Sequence, residues 1–219
     1  MQKYFDVLRT SELFLGMSDD ELTALMHCLG GRVLKYGRGD MIFSEGSAAR
    51  YIGIVLEGSV QMTSIDYYGN RNIIGELASG ELFCEEFAAL DLPEIPVSCS
   101  AKEDCSVVKL ECSRILRACG QSCTHHHAMI YNLMRSIAKK SLSLHERMEI
   151  TSKRTTREKL LTYLAIEAKH QGRNSFDIPF DRQELADYLE VDRSGLSTEI
   201  GKLVREGVMT VRRRHFSLR

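Results

Sequence analysis

Apolar residues recur with helical spacing near the start of the chain, and then change to short runs typical of strands. Ser18 and Glu21 have the spacing of a capping box, in which the two residues satisfy each other's backbone N–H at a helix start. Gly30–Gly31 would end this helix. From 32 to 109, runs rich in Val, Ile, Tyr and Phe are separated by glycine roughly every ten residues, which predicts an antiparallel roll, barrel or sandwich. The predicted helix buries Leu22, Leu25, Met26 and Leu29.

The third section of the chain, from Glu111 to His170, contains no proline and a single glycine, Gly120, and predicts helical structure. Residues spaced by 4, 3, 4, 3 and 4 form a heptad seam that consists of Ile130, Met134, Ile137, Ser141, Leu144 and Met148. A seam of this kind packs against an identical helix, so we expect a parallel dimer contact. Burial against the chain's own β-structure is the alternative. Ser141, the polar member, would weaken the contact locally.

A polar stretch at 151–156 is the predicted hinge before another amphipathic helix. The apolar positions of that helix are Leu160, Leu161, Leu164, Ala165 and Ala168. Residues 171–175 are a predicted loop, and Ile178–Phe180 form a predicted extended segment that leads into the last part of the chain.

Two capped helices follow with helix-turn-helix spacing. Asp181 and Glu184 can form a capping box, and Asp192 can cap a second helix after a short turn. The first helix has a buried stripe formed by Leu185, Ala186 and Leu189. The inward positions of the second helix are Leu196, Ile200, Leu203 and Val204. Since Ala186 is small, the two helices can cross closely. A plain helical hairpin is the alternative interpretation.

Features beyond these helices favour a winged helix-turn-helix over a hairpin. Gly207 ends the second helix, residues 208–211 and 215–218 alternate as two strands, and arginines occupy the turn between them. Exposed arginines beside a polar helix suit phosphate contacts, which give affinity without reading sequence. We therefore expect double-stranded DNA as a partner. The predicted contacts are Arg182, Arg193, Ser194, Ser197, Thr198, Lys202, Arg212, Arg213 and Arg214.

Charge and composition agree with this interpretation and argue against other classes. Residues 152–219 contain 14 Lys+Arg against 10 Asp+Glu, whereas 1–151 contain 15 against 20.

Apolar runs such as 52–56 are far shorter than the ~18 to 20 residues that cross a bilayer, so we expect a cytoplasmic protein with no membrane partner. Seven cysteines without paired spacing indicate reduced thiols. No nucleophile elbow or phosphate-binding glycine loop is present in the sequence, so an enzyme is not expected.

The order of capped helix, glycine-punctuated roll, long helix and winged helix resembles the Crp/Fnr family of bacterial regulators. The matching motifs are Gly39–Asp40, Ile42–Phe43, Glu45–Gly46, Leu56–Val60, Asp66–Gly69, Gly80–Phe83 and Gln183–Leu189. The resemblance implies an α+β fold with an N-terminal double-stranded β-helix, the jelly-roll-like cyclic-nucleotide-binding type of domain. It implies an effector-sensing roll at 1–122, a dimerisation helix at 123–151 and a winged helix-turn-helix at 152–219.

The same resemblance implies a homodimeric, sequence-specific transcription regulator that binds a near-palindromic operator. A small-molecule or redox signal sensed in the roll would control it, RNA polymerase is a further candidate partner, and no cofactor is expected. A metal- or thiol-based redox sensor that binds DNA, and a protein that only binds a regulatory ligand, are the alternatives.

The segment that would bind a cyclic nucleotide departs from the family pattern. Counted without a gap, Cys84–Glu85 stand where nucleotide-binding members have Gly-Glu, and Ile95–Pro96 stand where they have Arg-Ser. Without the guanidinium no cation faces the phosphate, and proline has no N–H to donate. We therefore expect an effector other than cyclic AMP, in a pocket with Cys84 at its rim. The predicted pocket residues are Cys84, Glu85, Glu86, Ile95, Pro96 and Val97.

Cysteine and histidine positions raise the alternative of a sensor based on metal or thiol chemistry. The iron-sulfur branch of the family has an N-terminal cysteine cluster, but no cysteine precedes Cys28 here. Cys119, Cys123 and His127 lie on one face of a predicted helix, a spacing compatible with a soft metal, and Cys112 shares that face. Burial beside the dimer seam is the preferred interpretation, and no metal is expected. His125–His127 are interpreted as a solvated helix start rather than as haem or zinc ligands.

The second helix of the motif also departs from the family. Arg193 is retained, while Ser194 and Thr198 stand where DNA-reading members often have Glu and a second Arg. The family's Glu and second Arg typically read cytosine and guanine. Because both are replaced in this chain, we do not expect the half-site of the best-known members. Gly195 and Gly201 each cost about 1 kcal/mol relative to alanine within a helix. We therefore expect this helix to become fully ordered only when it binds DNA.

Overall fold

A computed structural model describes residues 2–116 and 124–219 of the chain. These residues form two compact units, Met1–Lys139 and Lys140–Arg219. Both units contain helices and strands, which confirms the α+β class predicted from the sequence. Within the described ranges, no helix combines the length and the apolar character needed to cross a membrane.

Short helices precede the roll in the first unit. They are the 3-10 helices Gln2–Tyr4 and Glu12–Phe14 and the α-helices α1 (Phe5–Thr10) and α2 (Asp19–Cys28). The capping box predicted at the start of α2 is confirmed: Ser18 Oγ accepts from the Glu21 N–H at 3.4 Å, and Glu21 Oε2 accepts from the Ser18 N–H at 2.7 Å. The apolar stripe of α2 is buried, as its spacing predicted.

Two antiparallel four-stranded sheets form the roll. Its strands are β1 (Arg32–Tyr36), β2 (Met41–Phe43), β3 (Tyr51–Glu57), β4 (Val60–Ile65), β5 (Arg71–Leu77), β6 (Leu82–Phe83), β7 (Ser98–Ala101) and β8 (Cys105–Glu111). The strand orders are β1-β8-β3-β6 and β2-β7-β4-β5. Two short helices, α3 (Glu85–Ala89) and α4 (Cys112–Leu116), follow β6 and β8.

Strand β3 separates two hydrophobic cores because its side chains alternate between the two faces of the sheet. Ile52 and Ile54 pack with the N-terminal helices, whereas Val55 belongs to the cluster inside the roll. Gly53 is needed on the inner face: a Cβ there would lie 2.2 Å from Cζ of Phe83. Because Gly53 has no side chain, the Phe83 ring can pack against β3 in the interior of the roll.

The long helix α5 spans Thr124–Thr151. Met129 and Leu133 are buried in the core of the first unit, and Asn132 Nδ2 donates to the carbonyl of Leu13 at 3.2 Å. Ile130 and Ile137 are half-buried against the same core. Two members of the predicted seam therefore contact the chain's own core, which the alternative interpretation had anticipated. Other seam members are exposed, and they are Met134, Ser141, Leu144 and Met148.

The second unit contains the end of α5 and the helix-turn-helix. Its further elements are α6 (Thr156–Gln171), β9 (Ser175–Asp177), α7 (Arg182–Leu189), α8 (Arg193–Arg205), β10 (Met209–Arg212) and β11 (His215–Leu218). Strands β9, β10 and β11 form an antiparallel sheet in the order β10-β11-β9. The core is formed by apolar residues from every one of these elements, together with Ile150 of α5.

Three details of the second unit differ from the sequence prediction. The strand before α7 is Ser175–Asp177 rather than Ile178–Phe180, because Phe176 pairs with Phe216 of the wing. Val204 was predicted to face inward but is 41% exposed, since the buried face of α8 is completed by Leu203 and Ile200. Ala165 of α6 is exposed, while Tyr163, which the pattern did not single out, is buried.

Candidate nucleic-acid interface and sensor site

The N-terminus of α7 is fixed by a reciprocal cap. Asp181 Oδ1 accepts from the N–H groups of Gln183 and Glu184 at 2.8 and 2.9 Å, and Glu184 Oε2 accepts from the Asp181 N–H at 2.6 Å. The Glu184 N–H contributes most to lowering the pKa of Asp181, and the nearby Arg214 and Arg193 lower this pKa further. Two predicted DNA contacts thus lie near the start of α7.

The turn between the two helices also has a defined geometry. Glu190 adopts a left-handed conformation with φ 52°, which ends α7. Asp192 then caps α8 by accepting from the Gly195 N–H at 2.8 Å, and the Ser194 hydroxyl donates to the same carboxylate at 2.5 Å. The hydroxyl of Ser194 is the first cause of the lowered pKa of Asp192. Ser194 therefore supports the cap in the free protein.

The outer face of α8 presents Arg193, Ser197, Thr198 and Lys202 to solvent. Their side chains are engaged to different degrees. Thr198 Oγ1 donates to the Ser194 carbonyl at 2.9 Å, and Lys202 Nζ lies 3.1 Å from Glu199 Oε2. The Arg193 side chain is exposed, and its charge also helps to lower the pKa of Asp181. Its guanidinium is therefore accessible to a partner from solvent.

The wing turn brings further arginines to the same unit. Arg213 has φ 57°, and Arg214 follows it in the turn between β10 and β11. Arg214 Nη2 lies 3.6 Å from Glu184 Oε2, which links the wing to α7. Arg182 is half-buried, its guanidinium lies 5.1 Å from the centre of the Phe216 ring, and burial lowers its pKa. Arg212 and Arg213 are exposed.

The predicted effector-pocket residues lie mainly in the interior of the roll. Cys84, Ile95 and Val97 are 1%, 1% and 5% exposed and belong to one hydrophobic cluster. The expectation that Cys84 lies at a pocket rim is wrong, because its thiol packs within this cluster. Glu85 is buried at the start of α3, Glu86 is half-buried, and Pro96 is exposed. The six side chains thus differ widely in exposure, from the buried Cys84 and Ile95 to the exposed Pro96.

A cleft that the sequence pattern did not indicate lies near α3 and α4. It has a volume of about 390 Å³ and is lined by Ala49, Arg50, Ala88, Ala89, Asp91, Glu111, Cys112, Ser113 and Leu116. Burial raises the pKa of the Cys112 thiol to about 11. These residues come from three separate segments of the chain, so no local motif in the sequence could have identified the cleft.

The histidine cluster is solvated only in part: His127 is exposed as predicted, whereas His126 is buried. His126 is 2% exposed, and its Nε2 atom lies 3.9 Å from Sγ of Cys28. His125 Nδ1 lies 2.8 Å from Glu21 Oε1. His126 is buried because it faces α2, which no periodicity within α5 could reveal. Cys119 and Cys123 lie outside the described residues, and within residues 2–116 and 124–219 no group of three or more metal-binding side chains is present.

Comparison with known protein families accounts for most of this architecture. Residues 33–122 match the cyclic nucleotide-binding domain, and residues 158–219 match the Crp-like helix-turn-helix domain. The chain is thus a DNA-binding transcription regulator with a sensor domain of the cyclic-nucleotide-binding type. It belongs to the Crp/Fnr family of transcription regulators, as the collinear motifs predicted.

Individual relatives show how far the likeness extends. The transcriptional activator protein FnrL of Cereibacter sphaeroides is 34% identical over 75 residues, and the match spans only 30% of each chain. The catabolite activator protein of Thermus thermophilus is 24% identical, with a TM-score of 0.52 over 95% of this chain and 94% of that one. DNR from Pseudomonas aeruginosa is 19% identical, with a TM-score of 0.54 over 100% and 95%. These two structures establish the fold.

Proposed function

We propose that this regulator acts as a cytoplasmic homodimer that binds a near-palindromic DNA operator and responds to a signal other than cyclic AMP. The observation that carries the DNA-binding part is the outer face of α8, held by the Asp192 cap and flanked by a basic wing turn. Paired helices of this type would enter successive major grooves, with half-sites about one helical turn apart. We further propose the boundaries 1–122, 123–151 and 152–219 for the sensor, dimerisation and DNA-binding parts.

The exposure of the outer seam supports dimerisation. Met134, Leu144 and Met148 are 59%, 68% and 63% exposed, although they are large and apolar. They continue the heptad spacing along α5, which a second copy of the helix would cover. An identical partner would bring two helix-turn-helix units together. RNA polymerase contact is proposed only from the family, since regulators that activate must engage it.

The interior of the roll supports a signal other than a cyclic nucleotide. In the ungapped comparison Ile95 takes the position of the phosphate-binding arginine. Ile95 and the nearby Val97 are both buried in the hydrophobic cluster inside the roll. A phosphate desolvated beside these side chains would lack a compensating cation. Glu85 and Glu86 would add negative charge near that place. Cyclic AMP is therefore unsuited to this segment of the roll.

Selection of duplexes from a random pool by the purified protein tests the DNA-binding proposal. We expect enrichment of a near-palindromic sequence, bound by two chains as measured by light scattering. Enrichment of no sequence, with binding to all duplexes alike, would contradict sequence-specific regulation. Calorimetric titration with 1 mM cyclic AMP, a concentration that detects binding of about −4 kcal/mol, should show no saturable heat.

A further inference from the structure

Two cysteines are in contact inside the roll. The sulfur atoms of Cys84 and Cys99 are 3.6 Å apart, and the two side chains are 1% and 0% exposed. Cys84 lies between β6 and α3, and Cys99 lies on β7. Since disulfide sulfurs are separated by about 2 Å, a bond would require the atoms to approach by roughly 1.5 Å. That movement is small compared with the spacing of neighbouring strands, about 4.8 Å.

The backbone of Cys84 carries an unfavourable conformation. Its φ of 62° and ψ of 13° lie in the left-handed region, which glycine adopts without strain and other residues adopt at a cost. The folding of the β6–α3 junction would therefore favour glycine at this position. A thiol that persists at a strained position, in contact with a second thiol, indicates a role for the sulfur itself.

The surroundings of Cys84 and Cys99 favour an uncharged form of the two sulfur atoms over a charged one. Phe83, Ile95 and Val107 belong to the same buried cluster as the two cysteines. The hydrogen bond to Cys99, followed by burial, strongly raises the pKa of Cys84, so this residue keeps its proton. A disulfide is neutral and apolar and can stay in the cluster, whereas a thiolate or a metal dithiolate would place charge there.

We propose that Cys84 and Cys99 form a reversible disulfide in the presence of a peroxide, and that this bond changes the affinity of the protein for DNA. In the first step one thiol attacks a peroxide oxygen, the O–O bond breaks, and a sulfenic acid and water form. The other thiol then attacks the sulfenic sulfur, the S–O bond breaks, and a second water leaves as the S–S bond forms. Two thiols are oxidised and one hydrogen peroxide is reduced to two waters.

The position of Cys84 connects this bond to the local structure. The Cys84 carbonyl accepts the first hydrogen bond of α3, from the Ala88 N–H at 3.1 Å. A bond that draws Cys84 toward β7 therefore acts on the start of α3. Because both thiols are buried and Cys84 is protonated, oxidation requires a transient opening of the roll and is slow at neutral pH. The exposed Cys28 should react with large alkylating reagents before either of them.

The test uses the whole 219-residue chain with the selected duplex of the proposed function, on which the regulatory part of this inference rests. Reduced protein is treated with hydrogen peroxide, and peptides are mapped by mass spectrometry while DNA affinity is measured by fluorescence anisotropy. We expect a linked Cys84–Cys99 peptide with a loss of two hydrogens. We also expect at least a tenfold change in affinity that dithiothreitol reverses.

Three variants sharpen the result. Cys84→Gly relieves the backbone strain and removes the thiol, so it should fold and bind DNA without responding to peroxide. Cys99→Ser should also fail to respond, whereas Cys28→Ser, the control for an exposed thiol, should respond like the original protein. A response lost in Cys28→Ser but kept in Cys84→Gly would overturn the proposal.

Three other outcomes are decisive. Absence of the linked peptide, or a linked peptide with unchanged DNA affinity, would overturn this inference while leaving the DNA-binding function intact. Failure of the reduced protein to bind any duplex would instead overturn the proposed function, and with it the regulatory part of the inference. The mass mapping distinguishes these cases because it does not depend on DNA.

Discussion

Arg157 and Glu206 join the start of α6 to the residue that follows α8. Arg157 Nη1 donates to Glu206 Oε1 at 3.1 Å and to Glu199 Oε1 at 3.3 Å, and a second guanidinium nitrogen also contacts Glu206. The Glu206 carboxylate is the first cause of the raised pKa of Arg157. Because Glu199 also pairs with Lys202, the side chain of Arg157 is connected to the outer face of the proposed recognition helix.

We expect Arg157→Gln to lower specific DNA affinity a few-fold with only a small decrease in melting temperature. Exposed ion pairs contribute little to stability, but the loss of this one removes a constraint on the orientation of α8. Arg154→Gln is the matched control, since Arg154 is exposed nearby and makes none of these contacts. Anisotropy titrations measure the difference. Equal affinities of the two variants would show that Arg157 does not position α8.

The dimer seam is tested best at an exposed position. Leu144→Glu should give monomers in light scattering, because an unpaired carboxylate in a dry contact costs several kcal/mol. Leu142→Glu is the matched control: Leu142 is a 57% exposed leucine on the same helix but lies outside the seam. Ile137→Glu is less informative because Ile137 also packs on the chain's own core. A Leu144→Glu protein that remains dimeric would contradict the seam.

The interior of the roll should be sensitive to one added methyl group. Gly53→Ala places a Cβ against the Phe83 ring, and overpacking of this kind costs about 1 to 3 kcal/mol. Gly75→Ala is the control, since a Cβ at that strand position meets nothing within 4 Å. Urea unfolding measures both free energies. If Gly53→Ala is as stable as Gly75→Ala, the ring must move freely, and the packing described for the roll would be wrong.

The sequence predicted the features that depend on local chemistry. The caps at Ser18, Asp181 and Asp192 follow from residues three positions apart, and all three are present. The strand before α7 was misplaced because its position depends on pairing with Phe216, some 40 residues later. The burial of His126 depends on α2, and that of Cys84 on β7, in the same way. Contacts between distant segments leave no periodic signal near either residue.

Acid should weaken the helix caps of the second unit. The pKa values of Asp181 and Asp192 are lowered in the folded protein, so both carboxylates contribute stability above their unfolded value of about 3.9. This contribution is lost as the pH falls below that value through the folded pKa. Asp192→Asn should therefore show a shallower decrease in unfolding free energy between about pH 5 and pH 3 than the original protein.

The control for this experiment is Asp187→Asn on α7. Asp187 accepts a hydrogen bond from the Gln183 side chain but caps no helix. Its pH profile should follow that of the original protein more closely than the profile of Asp192→Asn does. Identical profiles for all three proteins would show that the Asp192 cap contributes nothing to the acid dependence.

Arginines that read bases can be distinguished from arginines that contact phosphates by competition between specific and random duplexes at several salt concentrations. Arg193 is the proposed base reader because its side chain is exposed at the start of α8 and its guanidinium can meet guanine O6 and N7 with two parallel bonds. Arg193→Ala should lose roughly 1 to 3 kcal/mol of discrimination between specific and random duplexes. Arg213→Ala, in the exposed wing turn, should weaken both duplexes alike and reduce the slope of log K against log salt by about 0.9. If Arg193→Ala instead weakens both duplexes equally, Arg193 contacts phosphate. The bases would then have to be read by Ser197 and Thr198 or through DNA shape, because Lys202 is already held by Glu199.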